Sequence, residues 1–194
     1  MNFLLQKKIF FILLFLNLCG CISTTIISSA TIIAKTSSDS RSLGEQIDDF
    51  NIRLKVLYSL SKDQEIKKKA RIISRIYKKK IILAGQAESY EILKKIVKKI
   101  RNIQYIKTMH NQIRVQKPIS KKRILYDSLI TAKIYEKFFF SKERKELLKI
   151  IFFTENQEVF LFGYADQKIE KIAVQIINRI SKVKKIIVAT SNEI

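Results

Sequence analysis

Two cysteines stand one residue apart, Cys19 and Cys21, in the stretch NLCGCISTT. A C-x-C pair can clip a soft metal, cycle as a redox couple, supply half of a disulfide framework, or be consumed by lipid chemistry. Other candidates for chemistry are few. His110 is the chain's one histidine, and the position equivalent to it later in the chain is Ile187. The carboxylate pairs Asp48–Asp49 and Glu155/Glu158 could exchange protons, but they fall where a helix starts and where a turn is expected, and capping and turn solvation explain them there. Serines cluster between residues 22 and 45, where no histidine or acid partner can be assigned. No Gly-rich phosphate loop and no metal-ligand spacing is present. The sequence therefore predicts no enzyme, no metal site and no small-molecule substrate.

The residues ahead of the cysteine pair choose among its chemistries. Lys7 and Lys8 precede an almost unbroken apolar run, Ile9 to Leu16. That run is too short to span a bilayer, which takes about twenty residues, and has the form of a secretory signal peptide. It ends in Leu18-Cys19-Gly20-Cys21, which resembles the bacterial lipobox. On that resemblance the leader, residues 1–20, is removed. The Cys21 thiol then carries a diacylglycerol and its new amine an acyl group, and no other cofactor is expected. Burying each methylene contributes about 0.8 kcal/mol, so three acyl chains anchor a protein permanently. Ile22 stands where inner-membrane-retained lipoproteins typically carry Asp, which implies the outer membrane, periplasmic face.

The formal charge is +21, with 38 Lys and Arg against 17 Asp and Glu. Such basicity suits a polyanion. A secreted, tethered chain rarely meets nucleic acid, however, and residues of AT-rich codons (Lys, Ile, Asn, Phe) raise charge without any partner. An anionic phospholipid membrane is the expected partner, and nucleic acid is not.

Residues 21–45 are rich in Ser and Thr without a helical stripe and read as a lipidated tether. Beyond them the chain repeats. RIISRIYKKKIILAG (71–85) lies over KIIFFTENQEVFLFG (149–163) at a shift of 78 residues, and Ile52, Val56 and Leu60 fall on Ile130, Ile134 and Phe138. Pro118 lies between the copies. Two domains follow, 46–115 and 124–194, joined by a linker at 116–123. Each reads as helix, strand, strand, helix, strand, and a three-stranded mixed sheet covered by two helices buries the apolar stripes most simply. The class is α+β. Gly85 and Gly163 are expected to end the second strand of each copy, where glycine permits positive φ or a close approach.

The copies differ at one face. Asn51, Ser61 and Lys62 in the first correspond to Leu129, Phe139 and Phe140 in the second. At helical pitch Leu129, Lys133 and Phe140 share a face beside the core stripe, with Tyr126 at its border. Apolar residues beside lysine on a second face suit a helix lying in a lipid interface. Two alternatives stand beside this. Phe138–Phe140 could plug a gap between the copies, and the same patch could receive an envelope protein, making the chain an adaptor for outer-membrane assembly or cell-wall machinery. Charge alone favours the first copy, which holds Lys67–Lys69 and Lys78–Lys80.

DSRSLGEQIDD (39–49), LSKDQEIKKKARI (60–72), KPI (117–119) and TENQEVFLFG (154–163), in that order behind a lipobox, resemble the dual-BON-domain outer-membrane lipoproteins of proteobacteria. The resemblance runs from Cys21 to the C-terminus. It implies an αββαβ fold for each BON unit, no enzymatic activity, and binding of anionic phospholipid through the first helix of the second unit. It also implies a role in outer-membrane integrity, with enrichment at the division site. The family commonly places Trp near the start of that helix, whereas this chain has no Trp and offers Leu129.

Overall fold

A computed structural model describes residues 41–191. The leader, Cys21 and nearly all of the tether lie outside the described residues.

Helix α1 (Leu43–Ser61) begins at a capping box: the Ser42 hydroxyl accepts from the Glu45 amide, and the Glu45 carboxylate accepts from the Ser42 amide. Residues 43–45, assigned to the tether by composition, are therefore the first turn of this helix. Its inward face carries Asp49, Ile52 and Val56. A short helix, α2 (Gln64–Lys69), follows a second cap at Asp63. Strands β1 (Ala70–Tyr77) and β2 (Lys80–Ala87) pair antiparallel, α3 (Tyr90–Arg101) crosses over, and β3 (Thr108–Val115) pairs parallel to β2. The second copy repeats the order: α4 (Lys121–Phe139), α5 (Arg144–Leu147), β4 (Ile151–Glu155), β5 (Glu158–Tyr164), α6 (Gln167–Asn178) and β6 (Lys185–Ser191). The αββαβ order predicted from the repeat is present twice, with α2 and α5 as additions.

Each sheet is two-sided. In β2, Ile81, Leu83 and Ala87 pack with Ile52, Val56, Ile96 and Ile100 under the helices, whereas Ile82 and Ala84 face the other way. In β5, Val159 and Leu161 face the helices and Phe160 and Phe162 do not. The outward-pointing sets meet: Tyr77, Ile82, Ala84, Phe153, Phe160 and Phe162 form one buried cluster. The two sheets thus pack against each other and the helices form the outer layers. The gap between the copies is filled by these strand residues, because the two-residue period of a strand sends alternate side chains to opposite faces. Phe138 is buried in the core of its own unit instead, and Phe139 and Phe140 are exposed.

Polar contacts bind the same interface. Arg71 grips Glu155 through Nε and Nη2 at 3.1 and 3.3 Å, Gln86 donates to the same carboxylate at 2.9 Å, and Arg114 pairs with Glu158 at 2.7 Å. The Ile119 amide of the linker donates to the Gln86 side-chain oxygen.

Gly85 and Gly163 sit inside the second strands rather than at their ends, with φ of +122° and +105°. A Cβ on Gly85 would lie 1.9 Å from the Arg71 carbonyl oxygen across the β1–β2 pair. At Gly163 the nearest atoms are 3.6 Å away, so only the backbone conformation demands glycine there.

Candidate functional site

Helix α4 is fixed by its inner side. Ser120 caps it by accepting from the Arg123 amide, and Ile130, Ile134 and Phe138 enter the core. Asp127, buried, accepts from the Asn156 and Gln157 amides at 2.7 and 3.0 Å, and Thr131 is bonded to Thr154 across to β4. Those two amides belong to the β4–β5 turn, whose central residues both have positive φ. Asp49 does the same for Lys78 and Lys79 in the first unit, at 2.7 and 2.8 Å, and also takes an ion pair from Arg41. Hairpins of this type favour Asn-Gly at the two central positions. The buried carboxylate lets Lys-Lys and Asn-Gln occupy them. Asp49 therefore serves a turn of the sheet, not the start of its own helix.

The outer side of α4 carries Leu125, Tyr126, Leu129, Tyr135, Phe139 and Phe140, exposed by 38 to 78%. Lys133 is exposed among them. At helical pitch Tyr126, Leu129, Lys133 and Phe140 form one strip. Phe139 falls on the far shoulder with Tyr135, and meets Phe140 edge-on at 5.3 Å where the helix ends. The Tyr126 ring lies under Arg123 at 5.9 Å and Lys182 at 5.4 Å. Leu125 points straight outward between these groups. A comparison of the copies by difference passes over it, because Ile47 stands at the equivalent place.

Charge separates α4 from α1. Lys121, Lys122, Arg123, Lys133 and Lys137 lie along α4, with Glu136 as its exposed acid. On α1, Glu45 and Asp48 balance Arg53 and Lys55. Several lysines of the first unit are paired with acids, although its runs Lys67–Lys69 and Lys78–Lys80 leave that unit strongly basic. Lys69 pairs with Glu65, Lys79 with Asp48, Lys95 with Asp63 and Glu65, and Lys99 with Asp63. The Lys95 ammonium bonded to it holds the Asp63 carboxyl down to about 2, and Asp63 and Glu65 in turn raise Lys95. Hydrogen-bonded Asp48 raises Lys79.

The candidate acids and bases are dispersed over the fold. His110 lies exposed in β3 opposite Ile82. Glu155 and Glu158 are held by Arg71, Gln86 and Arg114 at the interface between the sheets. Among the described residues no group of three or more His, Cys, Asp or Glu could hold a metal ion, and no helix is long and apolar enough to cross a membrane.

The family model of the BON domain matches residues 48–117, which places the first of the two αββαβ units in that class of protein. The chain is 31% identical over 169 residues to "Outer membrane lipoprotein DolP" of Haemophilus influenzae, covering 87% of this chain and 86% of the relative. It is 33% identical over 150 residues to the "21 kDa hemolysin" of Actinobacillus pleuropneumoniae, covering 77% and 76%. The chain belongs to the DolP family of BON-domain proteins. Among solved structures, the C-terminal domain of CdsD, the structural protein of the Type III secretion system of Chlamydia trachomatis, aligns with 70% of this chain and 63% of its own. Its TM-score is 0.27 and its identity 16%.

Proposed function

We propose that this protein is a non-enzymatic lipoprotein, anchored through Cys21 to the outer membrane and facing the periplasm, that binds anionic phospholipid through the outer face of α4. The observation that carries the reading is the contrast between two equivalent helices. Both present apolar side chains to solvent, and only the second carries an excess of cations along the same helix, five against one exposed acid, Glu136, which pairs with Lys137 at 4.0 Å. An interfacial helix needs both terms. Each large apolar side chain fully buried contributes about 1.5–3 kcal/mol, and each lysine at an anionic surface roughly 1 kcal/mol. Leu125, Leu129 and Phe140 with Lys122, Lys133 and Lys137 give a reversible contact, which suits a chain whose anchor already supplies high local concentration. The rigid hold of Asp127 on the hairpin presents the face without an ordering cost. The names of the relatives, an outer membrane lipoprotein and a hemolysin, fit a protein that works at membranes. Support of outer-membrane integrity, including at the division site, is part of the same proposal.

The test is co-sedimentation of the chain from residue 22, without acyl groups, with phosphatidylglycerol vesicles at low salt. Leu129→Glu with Phe140→Glu should weaken binding at least tenfold with an unchanged melting temperature. Salt should weaken the unsubstituted chain as well. Undiminished binding by the double variant removes the assignment of this face.

A further inference from the structure

Helix α3 carries two stripes of cations, and only one of them is answered. Lys95 and Lys99 turn toward α2, where Asp63 pairs with both and Glu65 with Lys95. Lys94, Lys98 and Arg101 line a cleft of about 500 Å³ between α3 and β3. All three are exposed, and among the described residues none of them forms an ion pair. Half-buried Leu93 and Val97 form the floor, and Tyr90 stands at one end with Lys94 over its ring at 4.8 Å. Glu91, the one acid of α3, is bonded to the Ser89 hydroxyl and does not line the cleft. The second copy lacks this arrangement. At the equivalent positions on α6, Glu170 stands for Leu93, Gln175 for Lys98 and Asn178 for Arg101. The Thr190 hydroxyl there donates to Glu170 and ties β6 to α6.

The other wall of the cleft is an edge strand, since β3 pairs with β2 alone. The Gln116 amide donates to the Ala87 carbonyl, so the even-numbered residues of β3 turn their amides to β2. Met109, Asn111, Ile113 and Val115 turn theirs outward. The Asn111 side chain, which reaches into the cleft, takes the Ile113 amide at 3.1 Å. The row that remains is a template for another strand.

We propose that this cleft binds an acidic, extended segment of a partner protein, added to the sheet along β3. Its carboxylates pair with Lys94, Lys98 and Arg101, and its backbone replaces the Asn111 side chain on the Ile113 amide. Three features select that occupant. The first is charge, because three unanswered cations and no acid line the cleft. The second is spacing. Every second side chain of an added strand points to the helix side of the sheet and recurs about every 6.6 Å. Lys94 and Lys98 stand about 6 Å apart along α3. The third is shape. A bilayer meets cations that project from a surface, whereas an extended chain also enters a cleft and pairs with a strand edge.

The cleft lies in the first unit, so the proposal stands apart from the lipid-binding face of α4. Both cores close within the described residues, so the chain from residue 22 carries them intact. The probe is a fluorescent synthetic peptide in which Glu alternates with Thr. It should bind saturably, more weakly as salt rises, and at least tenfold more weakly when every Glu is Gln. Lys94→Gln with Lys98→Gln and Arg101→Gln should weaken binding at least tenfold with an unchanged melting temperature. A control variant loses equal charge elsewhere, by Lys62→Gln, Lys67→Gln and Lys68→Gln, and should bind within twofold of wild type. Both variants should bind phosphatidylglycerol vesicles equally. In amide NMR spectra the peptide should shift Asn111 and Ile113 before other residues. Absence of saturable binding overturns the proposal, as do equal losses in the two variants, which would assign the effect to net charge. Unmoved β3 amides would overturn strand addition. A cleft variant that loses vesicle binding and keeps the peptide would make α3 a membrane face instead.

Discussion

Asp49 and Asp127 occupy the same place in two copies of one unit, each reaching from the first helix to both central amides of the hairpin that follows. Each is buried, and each closes a turn whose two central residues have positive φ. A charged acceptor on a backbone amide contributes about 1.5–3 kcal/mol, and an amide left unpartnered adds its desolvation cost. Asp127→Ala should therefore destabilise the protein by about 3–5 kcal/mol, and Asp127→Asn, which keeps one acceptor, by about half as much. Urea unfolding checks the order. Equal stabilities for Ala and wild type would mean that the turn finds its partners elsewhere.

Gly85 and Gly163 look equivalent in sequence and differ in space. Both have positive φ, but only Gly85 faces a backbone oxygen where a Cβ would stand. Gly85→Ala must move β1 away from β2 and should cost several kcal/mol, among the larger effects of single substitutions. Gly163→Ala meets only side chains at van der Waals distance and should cost about 1–3 kcal/mol of backbone strain. Thermal melts of the two variants should rank them in that order.

Much of this architecture was readable before any coordinates. The shift of 78 residues located both hairpins, and stripes such as Ile52, Val56 and Leu60 identified the buried helix faces. Helices α2 and α5 escaped because each is under two turns long and carries one buried apolar residue, Ile66 or Leu147, and one residue has no period. The stacking of the sheets escaped for a different reason. Strands β2 and β5 are apolar at nearly every position, which announces burial on both faces without saying what covers the second. The outer faces of α1 and α4 were legible only in part. Comparing the copies by difference finds Leu129 and Phe140, where copy one is polar, and overlooks Leu125 and Ile47, where both are apolar. Asp49 and Asp127 were visible as acids near a helix start, but their targets lie 29 and 30 residues away, beyond any local pattern.

Acid should loosen the junction between α1 and β1 before the rest of the unit. The Asp63 carboxyl is held down to about 2, first by the Lys95 ammonium bonded to it, and it caps α2 through the Glu65 and Ile66 amides. A carboxyl depressed by folding contributes stability that is complete above its unfolded value, near 3.8, and lost as pH falls toward about 2. Hydrogen exchange at Glu65 and Ile66 should accelerate, relative to core amides, between those two values. In Asp63→Asn the exchange at these amides should already be faster at neutral pH and show no step in that window. A step that persists in the variant would assign it to another group.

Arg71 and Glu155 decide whether the two units unfold as one. The carboxylate is 3% exposed and receives both Arg71 nitrogens and Gln86, which in turn anchors the linker at Ile119. Removing one partner of a buried pair strands the other, at about 3–5 kcal/mol when both are fully desolvated. Arg71 keeps 30% of its side chain in water, so Arg71→Met should cost less than that range, about 2–3 kcal/mol. Once Glu155 is changed to Gln, no charge remains to strand, and the double variant should recover part of that loss. Denaturation followed at a probe in each unit adds the second readout. Wild type should give coincident transitions, because the Phe153, Phe160 and Tyr77 cluster is shared between the sheets. In Arg71→Met the transitions should separate, because the weakened interface lets one unit open while the other stays folded. Coincident curves in the variant would show that the apolar cluster alone couples the two units.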